Sequence, residues 1–157
     1  RTAVDVASAK IDLDEITLHE YFEELATAVG RPVSVVKEEL KNEISINHPL
    51  LKVVDQLRDK GIKTAILSND GSSLRAYLEE YDIIKHFDEI FISGELNMMK
   101  PDMRIYQHVA KQLGFEPQGV IFFDDRQVNV DGALRAGLQS ELYTSVSQVR
   151  NLLTDLL

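Results

Sequence analysis

The chain has 157 residues, a formal net charge of −9, 44% hydrophobic and 27% charged residues, and no cysteine. That length suits one ordinary domain or a core with a small appendage, and the composition is that of a folded globular chain. The acidic balance speaks against a non-specific hold on nucleic acid or anionic membranes, and the lack of cysteine excludes disulfides, thiol catalysis and cysteine-ligated zinc.

The first part reads as helical. Thr17-Leu18-His19-Glu20 has the form of a capping box, followed by Leu18, Tyr21, Phe22, Leu25, Ala26 and Val29 at helical spacing, with Gly30 as the stop. Ser34 is the expected cap of a second helix carrying Val35, Val36, Leu40 and Ile44. Asn47 and Pro49 begin a third, running through Leu50, Leu51, Val54 and Leu57 to Gly61. After Gly61 the pattern changes. A strand over 62–67 ends at Ser68-Asn69-Asp70-Gly71 and precedes a helix with Leu74, Tyr77 and Leu78. A strand over 89–93 leads through "GELNMMKP" into a helix from Asp102 to Leu113, closed by Gly114. A strand over 120–123 precedes a helix over 128–136, closed by Gly137. A strand over 140–143 and the helix "SQVRNLLTDLL" complete the chain. This alternation predicts an α/β fold with a doubly wound parallel sheet. Residues 1–48 form a helical segment and 49–157 the α/β core, with a soft boundary near His48. No run approaches the roughly 18–20 apolar residues of a membrane span, no apolar signal segment opens the chain, and a cytoplasmic location is expected.

In open parallel sheets the functional crevice lies beyond the carboxyl ends of the strands. Ser68 and Asn69 end the first strand, Asp124 and Asp125 end the third, and Lys100 precedes the helix beginning near Asp102. A hydroxyl beside a helix start can bind a phosphoryl oxygen, a lysine adds compact positive charge, and adjacent carboxylates suit Mg²⁺. Taken singly, Ser68 reads as a turn residue, Lys100 as a solvated surface residue and the acid pair as a helix cap beside an exposed acid. Their joint placement at strand ends favours an anion site beside a cation site, as phosphoryl transfer requires. His19, His48, His86 and His108 have no paired ligand spacing and read as surface or loop residues, and Met98 and Met99 as packing beside the site.

"AILSND", "MMKPDMRIYQHVAKQLG" and "VIFFDDRQVNVDGALRAG" resemble motifs II, III and IV of the haloacid dehalogenase-like hydrolases. The resemblance is to the branch with a helical cap inserted after the first motif, which includes many sugar-phosphate phosphatases. It covers about 50–143, and "AKIDLDEITLHEYFEELA" is similar to a cap helix pair. It implies a Rossmann-like core acting on a small phosphorylated substrate with Mg²⁺. Ser68 would bind the phosphoryl group, Asn69 would support that loop, and Lys100 would neutralise phosphate and nucleophile. Asp125 would bind Mg²⁺, Asp124 would be a direct or water-mediated ligand beside it, and Asn129 would support the pair.

The family's first motif, an apolar strand ending in Asp-x-Asp, has no good match. Asp12-x-Asp14 follows "VASAK", which lacks the apolar run, and Asp5 in 3–8 fits less well. The segment therefore reads as cap, with Asp12 the residual nucleophile candidate and Asp14 its partner. The expectation is a core without its first strand: a fragment whose strand lies upstream of Arg1, a strand supplied by a second chain, or a degenerate member. Two rival functions follow, a non-catalytic binding or interaction module and a metal-independent 2-haloacid dehalogenase. A signalling receiver would place its acid pair before its lysine, and a dinucleotide-binding domain would need more glycine than the lone Gly71.

Overall fold

A computed structural model describes residues 2–43 and 45–157. Its elements are α1 (Ala3–Ile11), α2 (Leu18–Val29), α3 (Val33–Glu43), α4 (His48–Asp59), β1 (Ala65–Ser68), α5 (Ser73–Glu80), β2 (Glu89–Ile92), α6 (Ser93–Leu96), α7 (Met103–Leu113), β3 (Ile121–Asp124), α8 (Gln127–Arg135), β4 (Gln139–Leu142) and α9 (Val146–Leu152). Arg1 and Ile44, the latter expected on the second helix, lie outside the described residues.

Most boundaries follow from capping. Thr17 and Glu20 satisfy each other's main-chain N–H groups at the start of α2, and Gly30 ends it at φ 67°, where a side chain would be strained. The Asn47 side chain accepts from Leu50 N to open α4. A second capping box, between Thr2 and Asp5, makes 3–11 a helix, so the "AVDVAS" stretch is no strand. Two boundaries differ from expectation. α3 starts at Val33 ahead of Ser34, because Pro32 O already accepts from Val35 N and Val36 N. β1 starts at Ala65 rather than 62, because Ile62 N turns back to Leu57 O and the Lys63 ammonium reaches Leu113 O at 3.1 Å. The short helix α6 also replaces the predicted end of the second strand and the start of its loop.

Both strand pairs among the described residues are parallel, which confirms the α/β class. Ala65–Ser68 run beside Glu89–Ile92, and Ile121–Asp124 beside Gln139–Leu142. Among the described residues β1 and β3 do not pair with each other, so the strands form two two-stranded ladders. Helices pack on both faces. Tyr106 and Ile105 of α7 and Ala133 of α8 cluster with Leu67 of β1 and Phe122 of β3. The next residue along, Phe123, points the other way into Val53 and Leu57 of α4 and Val149 of α9, as strand alternation requires. The helices α2 and α3 keep a small cluster of their own around Leu25, Ala26 and Val36.

The approach of α8 to the turn before α7 is close. A Cβ at Gly132 would stand 2.7 Å from Pro101 O and 2.8 Å from Pro101 Cβ. Gly132→Ala would gain up to about 1 kcal/mol of helix propensity, but overpacking costs roughly 1–3 kcal/mol. The expected outcome is net destabilisation, read as a lower denaturation midpoint. A midpoint raised by the substitution would contradict this packing.

Candidate functional site

The site begins with a reciprocal amide pair. Asn69, just past β1, donates from Nδ2 to Lys100 O and accepts from Lys100 N, both at 2.8 Å. This locks the turn before α7 onto the end of β1 and directs Lys100 inward. Its Nζ donates to Leu67 O at 2.8 Å and to Asp124 Oδ2 at 2.6 Å, and lies 5.5 Å from the Phe122 ring centre. One ammonium thus joins the carboxyl end of β1 to that of β3.

Both charges are buried, Lys100 at 8% and Asp124 at 7% exposure. The other Asp124 oxygen, Oδ1, accepts from Arg126 N and from Asn129 Nδ2, each at 2.9 Å. Burial alone would push the Asp124 carboxyl up, but the bonds from Lys100, Arg126 N and Asn129 outweigh it and hold the group below the usual range. Asn129 is itself fixed, since Tyr106 Oη donates to its carbonyl at 2.8 Å.

The structure therefore brings Asn69, Lys100, Asp124 and Asn129 into one hydrogen-bonded network. Ser68 sits half-buried at the end of β1, its hydroxyl without a partner among the described residues. Asp125 follows β3 directly and is exposed. Neither joins the network.

A second cluster at these strand ends brings Asp12 and Asp14 against Ser72, Ser93, Gly71 and Gly94, a meeting that the sequence pattern does not predict. Asp12 is the C-cap of α1, so the Asp-x-Asp pair follows a helix rather than a strand. The pair nevertheless reaches the core. Asp14 turns at φ 54°, and its carboxylate accepts from Ser72 N at 2.8 Å. A Cβ at Gly94 or Gly71 would meet that carboxylate at 2.8 or 2.9 Å, so the two glycines leave room for it. The fully buried Ser93 donates to Asp12 O and accepts from Asp70 N. Burial and the nearby Asp70 push the Asp12 carboxyl up to about 6, against the opposing pull of Arg126 and Lys100. Burial also raises Asp70. Only the glycines of "NDG" and "SGE" hinted at this contact, and spacing gave no reason to pair them with Asp14.

Mg²⁺ can be tested against the donors present. No group of three or more His, Cys, Asp or Glu residues able to hold a metal occurs among the described residues. Asp124 has both oxygens committed to protein donors, whereas the exposed Asp125 has none bonded to it among the described residues. Mg²⁺ is commonly held by one or two carboxylates with several waters, and Asp125 fits that role better than Asp124.

Residues 5–137 match the family model described as haloacid dehalogenase-like hydrolase. The chain is 28% identical over 124 residues to the sesquiterpene phosphatase astK of Aspergillus oryzae, covering 74% of this chain and 62% of that protein. It is 34% identical over 99 residues to the rat bifunctional epoxide hydrolase 2, covering 60% of this chain and 18% of that protein. It thus spans less than two thirds of either relative. Among solved structures, a HAD family enzyme from Bacteroides thetaiotaomicron superposes with a TM-score of 0.79 at 19% identity, over 96% of this chain and 78% of that one. A magnesium and inorganic phosphate complex of that enzyme superposes with a TM-score of 0.71 at 19% identity, over 86% of this chain and 73% of that one.

Two outcomes follow from these charges. Lys100→Met leaves a buried carboxylate without its cation and should cost about 3–5 kcal/mol in denaturant unfolding. Adding Asp124→Asn should recover part of that loss, and a double variant no more stable than Lys100→Met would refute the pairing. Asp12 ionises at 3.8 when unfolded and at about 6 when folded. Its contribution to stability is therefore full below 3.8 and is lost as pH rises to about 6. Asp12→Asn should gain on the wild type across that window, and a melting difference that stays flat with pH would contradict the burial of Asp12.

Proposed function

The chain belongs to the haloacid dehalogenase-like hydrolases, and from that premise we propose that it is the greater part of a Mg²⁺-dependent phosphatase for small phosphate monoesters such as sugar phosphates. The observation that carries this reading is the Lys100 ammonium, held by Leu67 O and Asp124 between the ends of β1 and β3, with Asn69 fixing the Lys100 main chain. The half-buried Ser68 hydroxyl, free of protein partners among the described residues, supports it. In this reading Ser68 and the adjoining loop bind the phosphoryl oxygens, Asn69 fixes the loop, and Lys100 offsets the charge that develops during transfer. Asp125 holds Mg²⁺, which when bound neutralises phosphate charge. Asp124 anchors Lys100 and Asn129 beside it rather than acting as a first ligand. The helical segment 1–48 is the cap and 49–157 the core.

The attacking carboxylate belongs on a strand between β1 and β3. We place that strand outside the described residues, in the same protein or a partner chain. The unpaired facing edges of β1 and β3 favour it, since such edges tend to be covered. The same observation favours one alternative, a binding module that keeps the site without turnover.

Titration calorimetry with Mg²⁺ and inorganic phosphate tests the site. Asp125→Asn should abolish Mg²⁺ binding with little loss of stability, whereas Asp124→Asn should lower stability through the broken ion pair. Equal Mg²⁺ affinity in wild type and Asp125→Asn would overturn the assignment. The 157-residue chain should show little turnover on a panel of sugar phosphates. General acid–base help alone contributes roughly 10²- to 10⁴-fold, and no strand-borne nucleophile is present among the described residues. Robust turnover that disappears in Asp12→Asn would instead make Asp12 the nucleophile.

A further inference from the structure

Four of the seven arginines among the described residues are already matched by a carboxylate. Arg31 pairs with Glu39, Arg58 with Asp88, Arg75 with Glu95 and Arg104 with Asp102. Lys100 is matched by Asp124. Arg126 differs. It follows directly on the acid pair and forms the N-cap of α8, and its main-chain N–H is held by Asp124 Oδ1. Its side chain is exposed and makes no hydrogen bond or ion pair with the described residues. The unmatched Arg135 and Arg150 lie at the end of α8 and on α9, away from the strand ends.

Arg126 is also placed on the correct side. It and Lys100 both act on the Asp12 carboxyl, one from the start of α8 and the other from the turn before α7. Arg126 directly follows the acid pair at the carboxyl end of β3, the end that the Lys100 ammonium joins to β1. A chain of net charge −9 keeping an unmatched guanidinium there needs a reason, because an exposed acid could have neutralised it at little cost. A guanidinium presents a planar fork of donors that suits a carboxylate or phosphate, and such charge-assisted bonds are the strong ones.

We propose that Arg126 is a specificity-determining residue that binds a second anionic group, a carboxylate or a second phosphate, on the small phosphorylated ligand. This inference rests on the phosphoryl site proposed above. Lys100 offsets the transferring phosphoryl group, and Arg126 recognises the far end of the same molecule. The preferred ligands are phosphorylated sugar acids or bisphosphates rather than neutral sugar monophosphates.

The test is calorimetric binding to the whole chain at low ionic strength and fixed free Mg²⁺, using matched ligand pairs. The carboxylate arm compares 3-phosphoglycerate with glycerol 3-phosphate, and the phosphate arm compares fructose 1,6-bisphosphate with fructose 6-phosphate. Inorganic phosphate reads the phosphoryl site by itself. The wild type should prefer the member with two anionic groups in at least one pair by about ten- to a hundredfold, and the arm showing it identifies the second anion. Arg126→Gln should bring that ratio close to one, and Arg126→Lys should retain part of it. Circular dichroism establishes that both variants fold. Bound phosphate with no preference in either pair overturns the Arg126 inference and leaves the phosphoryl site standing. A preference that survives Arg126→Gln also overturns it. Failure of phosphate and of all the esters to bind overturns the phosphoryl site and the inference together.

Discussion

The buried pair between Lys100 and Asp124 is the contact on which the arrangement of this molecule depends. No backbone bond among the described residues runs between β1 and β3. Their carboxyl ends are joined through one ammonium, bonded to Leu67 O on one side and Asp124 Oδ2 on the other. Removing two charges from water costs several kcal/mol per ion before any attraction is counted. The site offsets that cost with donors: three reach Asp124, and Lys100 adds a backbone carbonyl and the face of Phe122. The apolar cluster beneath, with Leu67 from one ladder and Phe122 from the other, excludes water and fixes the distance the lysine spans.

Everything that positions the pair is short-range and lacks slack. Asn69 returns two hydrogen bonds to the Lys100 main chain, so the turn cannot move without breaking both. Tyr106 is fully buried and ties α7 to α8 through Asn129, which in turn holds Asp124. The contact between Gly132 and Pro101 lets α8 come close enough for Asn129 to reach. Helix packing and site geometry are therefore one problem, which explains why a glycine inside α8 is kept despite its helix cost.

Much of this was legible in the sequence. Apolar runs bounded by polar turns gave every strand within a few residues. Thr17, Gly30, Asn47 and Gly114 gave helix ends because capping is decided by neighbours a few positions apart. Lys100, Asn69 and Asp124 were singled out by their places at strand ends, and the structure joins them. The sequence pattern says less where alternative local hydrogen bonds compete and where tertiary contacts decide. The Thr2 box that makes α1, the early start of α3 after Pro32 and the late start of β1 each turn on a local hydrogen bond that competes with an equally plausible one. The Asp14 turn depends on Gly71, Gly94 and Ser72, which lie far along the chain. No periodicity encodes such a meeting.

The carboxylates at the strand ends illustrate how environment, rather than residue type, sets charge. Asp12, Asp70 and Asp124 are all partly or wholly buried, and burial pushes each upward. Only Asp124 is met by enough donors to reverse the effect. Asp70 further raises the cost of ionising Asp12, and Asp14 that of Asp70, whereas Lys100 and Arg126 oppose the rise for Asp12. Thus Asp124 is fully charged but spent on Lys100, and Asp12 carries its charge less readily than an exposed acid would. The Lys100–Asp124 pair is neutral as a unit at this end of the strands. An acidic protein can present an end receptive to anions if it buries its carboxylates against one another and against committed donors, while a guanidinium such as Arg126 remains in the open.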